Sequence, residues 1–160
     1  LFRSPSQYML GELWESGQIS VATEHLATAL NTYVAAACHA PLARVTPNGP
    51  RGMVACSPEE MHELGARIIA DLLECDGWSV DFFGRAMPSH LLVEAIRERN
   101  PRFLGLSTAL PIHLASTKQC ISDLRDALGD DTPPIILPSA LVSPSGWKGS
   151  GRPSTRAALS

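Results

Sequence analysis

The 160 residues carry no run of basic side chains, and Lys and Arg together number 13 against 16 Asp and Glu. A formal charge of -3 without a basic stripe leaves no electrostatic footprint for nucleic acid, so direct binding to it is not expected. No apolar stretch approaches the roughly 20 residues a membrane span needs. The start, Leu1-Phe2-Arg3-Ser4-Pro5, lacks the charged region and long apolar segment of a secretory signal. It also lacks an initiator methionine, and we expect a fragment. Cysteine is sparse: Cys38, Cys56, Cys75 and Cys120 stand far apart, with no C-x-x-C pair. A zinc site is therefore not expected on spacing, and reduced, buried thiols in a cytoplasmic protein are expected. Aromatic residues make up only 6%, but apolar residues reach 44%, enough for a core.

Apolar periodicity divides the chain. Tyr8, Met9, Leu10, Leu13 and Trp14 predict a short helix over Pro5–Ser16, closed by Gly17. Ser20 then caps a helix predicted over Val21–Cys38, rich in alanine. Two helices joined by a short turn cannot bury both faces unaided. Further helices, the next domain or another subunit must cover the remainder. The division expected is a helical cap at 1–40, a Pro- and Gly-bearing linker at 41–51, an α/β domain at 52–138, and an irregular or disordered tail at 139–160 rich in Ser, Pro and Gly.

From Gly52 onward the periods alternate. Strands are predicted at Met53–Cys56, Trp78–Phe83, Arg102–Ser107 and Pro134–Leu137. Helices are predicted at Glu59–Cys75, Ser89–Arg99 and Leu114–Leu128. Short loops between them imply parallel βαβ units in a flavodoxin-like, doubly wound sheet, a Rossmann-like α/β fold. In such a sheet the carboxyl ends of the first and third strands flank a ligand crevice.

The first strand ends in Cys56-Ser57-Pro58-Glu59-Glu60-Met61-His62-Glu63-Leu64-Gly65. One reading of this stretch is local. Ser57-x-x-Glu60 has the spacing of a capping box, Pro58 the favoured first helical position, and His62 is then a solvated helix residue. The other reading follows the spacing Glu60-x-His62-x-x-Gly65. It resembles the D-x-H-x-x-G signature of cobalamin-binding domains, with Glu for Asp. That resemblance implies cobalt coordination from below by His62, orientation of its other ring nitrogen by Glu60, and close corrin approach at Gly65, with Met61 and Glu63 beside them. The family's serine element after the third strand is matched by Ser107, followed by Thr108 and Ala109. There the serine meets the nucleotide tail of the cofactor. The local alternative is that Ser107 and Thr108 cap the following helix.

Trp14 and the pair Glu24-His25 stand at the spacing W-x9-E-H. This resembles the helical cap of light-responsive adenosylcobalamin regulators, where the Trp covers the upper face and Glu and His contact the adenosyl group or corrin edge. The local alternative is a core Trp and a first-turn Glu facing the helix dipole. The resemblance spans about Pro5 to Leu137. It implies a non-enzymatic light sensor holding adenosylcobalamin between Trp14 and His62, in a homo-oligomer, with an output partner supplied from elsewhere. Some stand-alone sensors of this type also hold a linear bilin, which the spacing neither confirms nor excludes. A rival is a corrinoid carrier for methyl transfer, which shares His62 but needs an open upper face. A metal-free receiver or nucleotide-binding domain is a weaker rival, because the first strand lacks an acidic cluster and a glycine fingerprint. Two departures stand out. Pro138-Ser139 replaces the family's Gly-Gly after the fourth strand, and Glu15 follows Trp14 where some regulators carry a second cobalt-binding histidine. His90 and His113 begin helices near the crevice rim and are expected to be rim residues.

Overall fold

The computed structural model describes residues 5–42 and 49–137. Helix α1 (Pro5–Glu15) and helix α2 (Val21–Leu42) form an amino-terminal hairpin. Gly17 takes a left-handed φ of 70° at the turn, and the Ser20 hydroxyl accepts the Thr23 backbone N–H at 3.2 Å, capping α2. Helix α2 runs through Leu42, past the expected end at Cys38.

The remainder alternates as β1 (Arg51–Cys56), α3 (Leu64–Cys75), β2 (Ser79–Gly84), α4 (Ser89–Arg99), β3 (Leu104–Ser107), α5 (Leu114–Leu128) and β4 (Ile135–Ile136). All four strands are parallel, in the order β2-β1-β3-β4. This is the doubly wound arrangement the alternating periods predict, with the order reversing beside β1. The boundaries of α4 and α5 fall where periodicity places them.

Central strand β1 is buried along five of its six residues. Alternation sends Met53 and Ala55 to one face, where they meet Leu104 and Leu106 of β3, Leu92 and Ile96 of α4, and Cys120 and Leu124 of α5. Val54 and Cys56 face the other way, onto Ala66 and Ala70 of α3. The small alanines let α3 lie close to the sheet. Trp78 and Phe103 stack edge-to-face at 5.2 Å below this layer. No helix among the described residues is long and apolar enough to cross a membrane.

The largest difference from expectation lies at the start of α3. The helix begins at Leu64, not Glu59, so the capping box does not form and Pro58 is not a first helical residue. Residues 57–63 are a loop, and Glu59 turns through a left-handed φ of 68°. The physical reason is the fate of the Glu60 carboxylate, which is drawn across the sheet rather than back along a helix.

Candidate functional site

Two loops converge above the ends of β1 and β3. Register pairs Cys56 with Ser107, and the Ser57 N–H donates to the Ser107 carbonyl at 2.9 Å, so the strands stay joined one residue beyond the sheet. Ser57 is fully buried, and its hydroxyl oxygen accepts from the Thr108 hydroxyl at 3.1 Å. Thr108 also meets Thr117 of α5 at 2.8 Å, and Thr117 donates to the His113 carbonyl at 2.7 Å. Helix α5 starts six residues after Thr108, so Ser107 and Thr108 do not cap it. They tie the two loops together.

Glu60 is the centre of this junction. It is fully buried, with both carboxylate oxygens engaged. Oε2 accepts the backbone N–H groups of Ala109 and Leu110 at 2.8 and 3.1 Å. Oε1 accepts the backbone N–H of His62 at 2.9 Å and lies 2.5 Å from Nδ1 of its ring. Burial alone would raise the carboxyl pKa. The bonds from His62, Ala109 and Leu110 outweigh it and hold the group below its ordinary value, so it is ionised at neutral pH. An ionised carboxylate only accepts, so Nδ1 of His62 must carry the proton. A neutral ring then keeps its lone pair on Nε2. The side chain is 59% exposed, which leaves that nitrogen reachable from outside. Carboxylate behind, imidazole in front, second nitrogen open: this is the donor arrangement of a metal-ligating histidine.

The surroundings of His62 are open on the side of α3. A Cβ built on Gly65, in the first turn of α3, meets nothing within 4 Å. Met61 is exposed beside it, and Glu63 is half-buried, its Oε1 3.4 Å from Nε of Arg85. Beneath, the Cys56 thiol contacts the His62 carbonyl at 3.8 Å. Burial, aided by the Glu60 and Glu63 charges and opposed by Arg85, pushes it up to about 12, so it is not a competing thiolate ligand.

The hairpin reaches the same region. Glu24 of α2 accepts the Thr28 hydroxyl at 2.7 Å, and its other oxygen lies 2.7 Å from Nδ1 of His25. These two bonds lower its pKa against a small opposing burial effect. Trp14 lies half-exposed in the last turn of α1.

Of the residues singled out in the sequence, Glu60, His62, Ser107, Thr108 and Ala109 meet at the strand ends, and Gly65 lies exposed in the first turn of α3. Met61 and Glu63 flank them. Sequence reasoning missed Thr117, whose partner Thr108 comes from another element, and Thr28, which bonds Glu24 one turn away in α2; it read Ser57 only as the start of a capping box. His90 is exposed on a groove of about 650 Å³ between α4 and α5, lined also by Pro88, Val93 and Asp123, which does not include His62. His113 sits at the start of α5. Pro138 and Ser139 lie outside the described residues. Among those residues no cluster of three or more His, Cys, Asp or Glu could hold a metal ion alone. One imidazole is enough only if the metal arrives inside its own macrocycle.

The B12 binding domain family matches residues 50–137, which is 88 of 160 residues. The chain is 36% identical over 121 residues to the HTH-type transcriptional repressor CarH of Myxococcus xanthus, across 74% of this chain and 39% of that protein. It is 30% identical over 132 residues to the HTH-type transcriptional repressor CarA of the same organism, across 81% of this chain and 44% of that one. It thus spans less than half the length of these relatives. The same fold occurs in the monomethylamine corrinoid protein of Methanosarcina barkeri, at a TM-score of 0.74 and 15% identity, over 87% of this chain and 66% of that one. It occurs also in a cobalamin-binding protein from Desulfitobacterium hafniense DCB-2, at 0.56 and 19%, over 87% and 65%. The chain belongs to the B12 binding domain family.

Proposed function

We propose, on the premise of that family membership, that this chain is a cobalamin-binding regulatory module responsive to light, and not an enzyme. The observation that carries the reading is the Glu60–His62 pair: a fully buried carboxylate fixing Nδ1 of a 59% exposed imidazole, with Nε2 left to bind. His62 would be the lower cobalt ligand, with Gly65 giving the corrin its approach and Met61 and Glu63 bordering it. Ser107, Thr108 and Ala109 would line the crevice for the nucleotide tail. Trp14, Glu24 and His25 would close the upper face. Adenosylcobalamin, when bound, would supply a cobalt–carbon bond that light can break.

The chain's own part is mechanical. Glu60 holds one tautomer of His62 and, through the same carboxylate, holds the β3–α5 loop. A change at the histidine is thus felt at both strand ends. Glu24-His25 would couple the hairpin to a group held between it and the sheet domain. A change in what lies between hairpin and sheet domain would shift their packing, a local event with a wider readout. The division into a cap at 1–40, a linker at 41–51 and a sheet domain at 52–138 is part of this proposal. Likeness to two HTH-type repressors supports a regulatory role. A linear bilin has no support from these relatives and is not proposed.

The test is absorbance of the chain purified with adenosylcobalamin in the dark, before and after green light. The parent is expected to bind and to change on illumination, and His62→Ala to lose the spectrum of imidazole coordination. An unchanged spectrum in that variant would remove His62 as the ligand. Equal retention of methylcobalamin and adenosylcobalamin, with no light response, would point to a corrinoid carrier instead. Absence of bound corrinoid in the parent would overturn the reading.

A further inference from the structure

The β2–α4 loop laces onto the loop that carries His62. The Met87 N–H donates to the Cys56 carbonyl at 3.4 Å, and the Ala86 N–H to the Glu60 carbonyl at 2.9 Å. Nε of Arg85 lies 3.4 Å from Oε1 of Glu63. A Cβ on Gly84 would stand 2.9 Å from Oε2 of the same carboxylate, so the glycine leaves room for it. Two of these contacts need a cause. Ala86 holds a left-handed φ of 50°, which residues with a side chain seldom adopt. Such a turn persists where its surroundings over-determine it, and here it aims the N–H at Glu60. Glu63 is the N-cap of α3, yet its carboxylate makes no capping bond and turns to Arg85 instead.

We propose that Ala86 and Arg85 are positioning residues for His62, an inference that rests on His62 being the cobalt ligand. The sheet order puts β2 and β3 on opposite sides of β1. Glu60 is therefore gripped from both. Its carboxylate is held by Ala109 and Leu110 beyond β3, and its carbonyl by Ala86 beyond β2. Held at the carboxylate alone, residues 57–63 would pivot about that point and carry the imidazole with them. The second hold, with the Arg85–Glu63 pair just past the histidine, stops the pivot and fixes the direction in which Nε2 is presented. A metal ligand held in this way binds without first having to be ordered. Neither Ala86 nor Arg85 needs to touch the cofactor. The Arg85–Glu63 pair is partly exposed and contributes the smaller share.

The experiment has two readouts. In the cofactor-free full chain, hydrogen exchange of the His62 amide, which donates to Glu60, is followed by NMR beside the amides of β1. Ala86→Val disfavours the left-handed turn, Ala86→Gly keeps it, and Arg85→Ala removes only the guanidinium. Exchange at His62 is expected to be about tenfold faster in Ala86→Val and about threefold faster in Arg85→Ala, with β1 at the parental rate. Ala86→Gly is expected to exchange no faster than the parent. The second readout is the paramagnetic resonance of the chain loaded with cob(II)alamin and carrying heavy-nitrogen-labelled histidine, whose splitting counts cobalt bound to imidazole. That fraction is expected to fall at least about threefold in Ala86→Val and to be restored in Ala86→Gly. A parental exchange rate at His62 in folded Ala86→Val, or an acceleration that β1 shares equally, overturns the proposal. Should Ala86→Val fail to fold, Arg85→Ala, with its largely exposed side chain, decides by the same comparison. Absence of imidazole splitting in the parent overturns the lower-ligand reading instead, and the exchange comparison still decides whether the β2–α4 loop braces His62.

Discussion

Replacing Glu60 tests the central junction most sharply. Glu60→Ala strands the Ala109 and Leu110 N–H groups and frees His62, all in one step. An unsatisfied buried donor costs about 1–3 kcal/mol, so two stranded amides and a lost charge-assisted bond cost on the order of 3–5 kcal/mol. Glu60→Gln keeps the shape but not the acceptors. Its carbonyl can serve Ala109 and Leu110, leaving its NH₂ against the His62 N–H and ring; the ring must then accept at Nδ1 and carry its proton on Nε2. We expect a loss of about 2 kcal/mol and no lower ligand. The sign of the pH dependence follows from the lowered carboxyl pKa. The folded state binds this proton more weakly than the unfolded chain, whose value is near 4.5. The stabilisation is therefore complete above that value and is lost as pH falls through the folded pKa. Urea unfolding of parent, Glu60→Ala and Glu60→Gln at pH 7 and again below pH 4.5 should show a gap that narrows in acid. A gap under about 0.5 kcal/mol at pH 7, or one that does not change with pH, would refute the role assigned to this carboxylate.

Other outcomes follow from the same geometry. His62→Ala removes a largely exposed side chain, so unfolding free energy should move by less than about 1 kcal/mol while corrinoid coordination, followed by absorbance, is lost. Gly65→Ala sits in the first turn of α3 with open space around it. It should raise stability by up to about 1 kcal/mol yet weaken corrinoid binding at least about tenfold, by thermal melting and titration respectively. Cys56, buried with its pKa near 12, should resist iodoacetamide at pH 8 in the folded chain while the exposed Cys38 is modified, as mass spectrometry of the peptides would report. Modification of Cys56 at the rate of Cys38 would show that the loop above β1 opens readily.

The fold was legible because its signals are local and periodic. The stripe Leu64, Ile68, Leu72 dictates α3, and the alternation of strand and helix periods dictates a parallel sheet whatever the surroundings. The histidine motif was legible for a similar reason, since Glu60, His62 and Gly65 lie within six residues. Their local structure was misread from those very letters. Ser57, Pro58 and Glu60 match a helix start, and only the presence of the Ala109 and Leu110 amides across the sheet turns the carboxylate away from it.

The chain by itself therefore determined the order of elements and the sheet class, both consequences of spacing along one strand or helix. Tertiary structure decided what spacing cannot encode. It determined that residues 57–63 are a loop and that one carboxylate serves both strand ends. Each depends on a partner supplied from elsewhere in the fold, and a buried charge goes where its hydrogen bonds are.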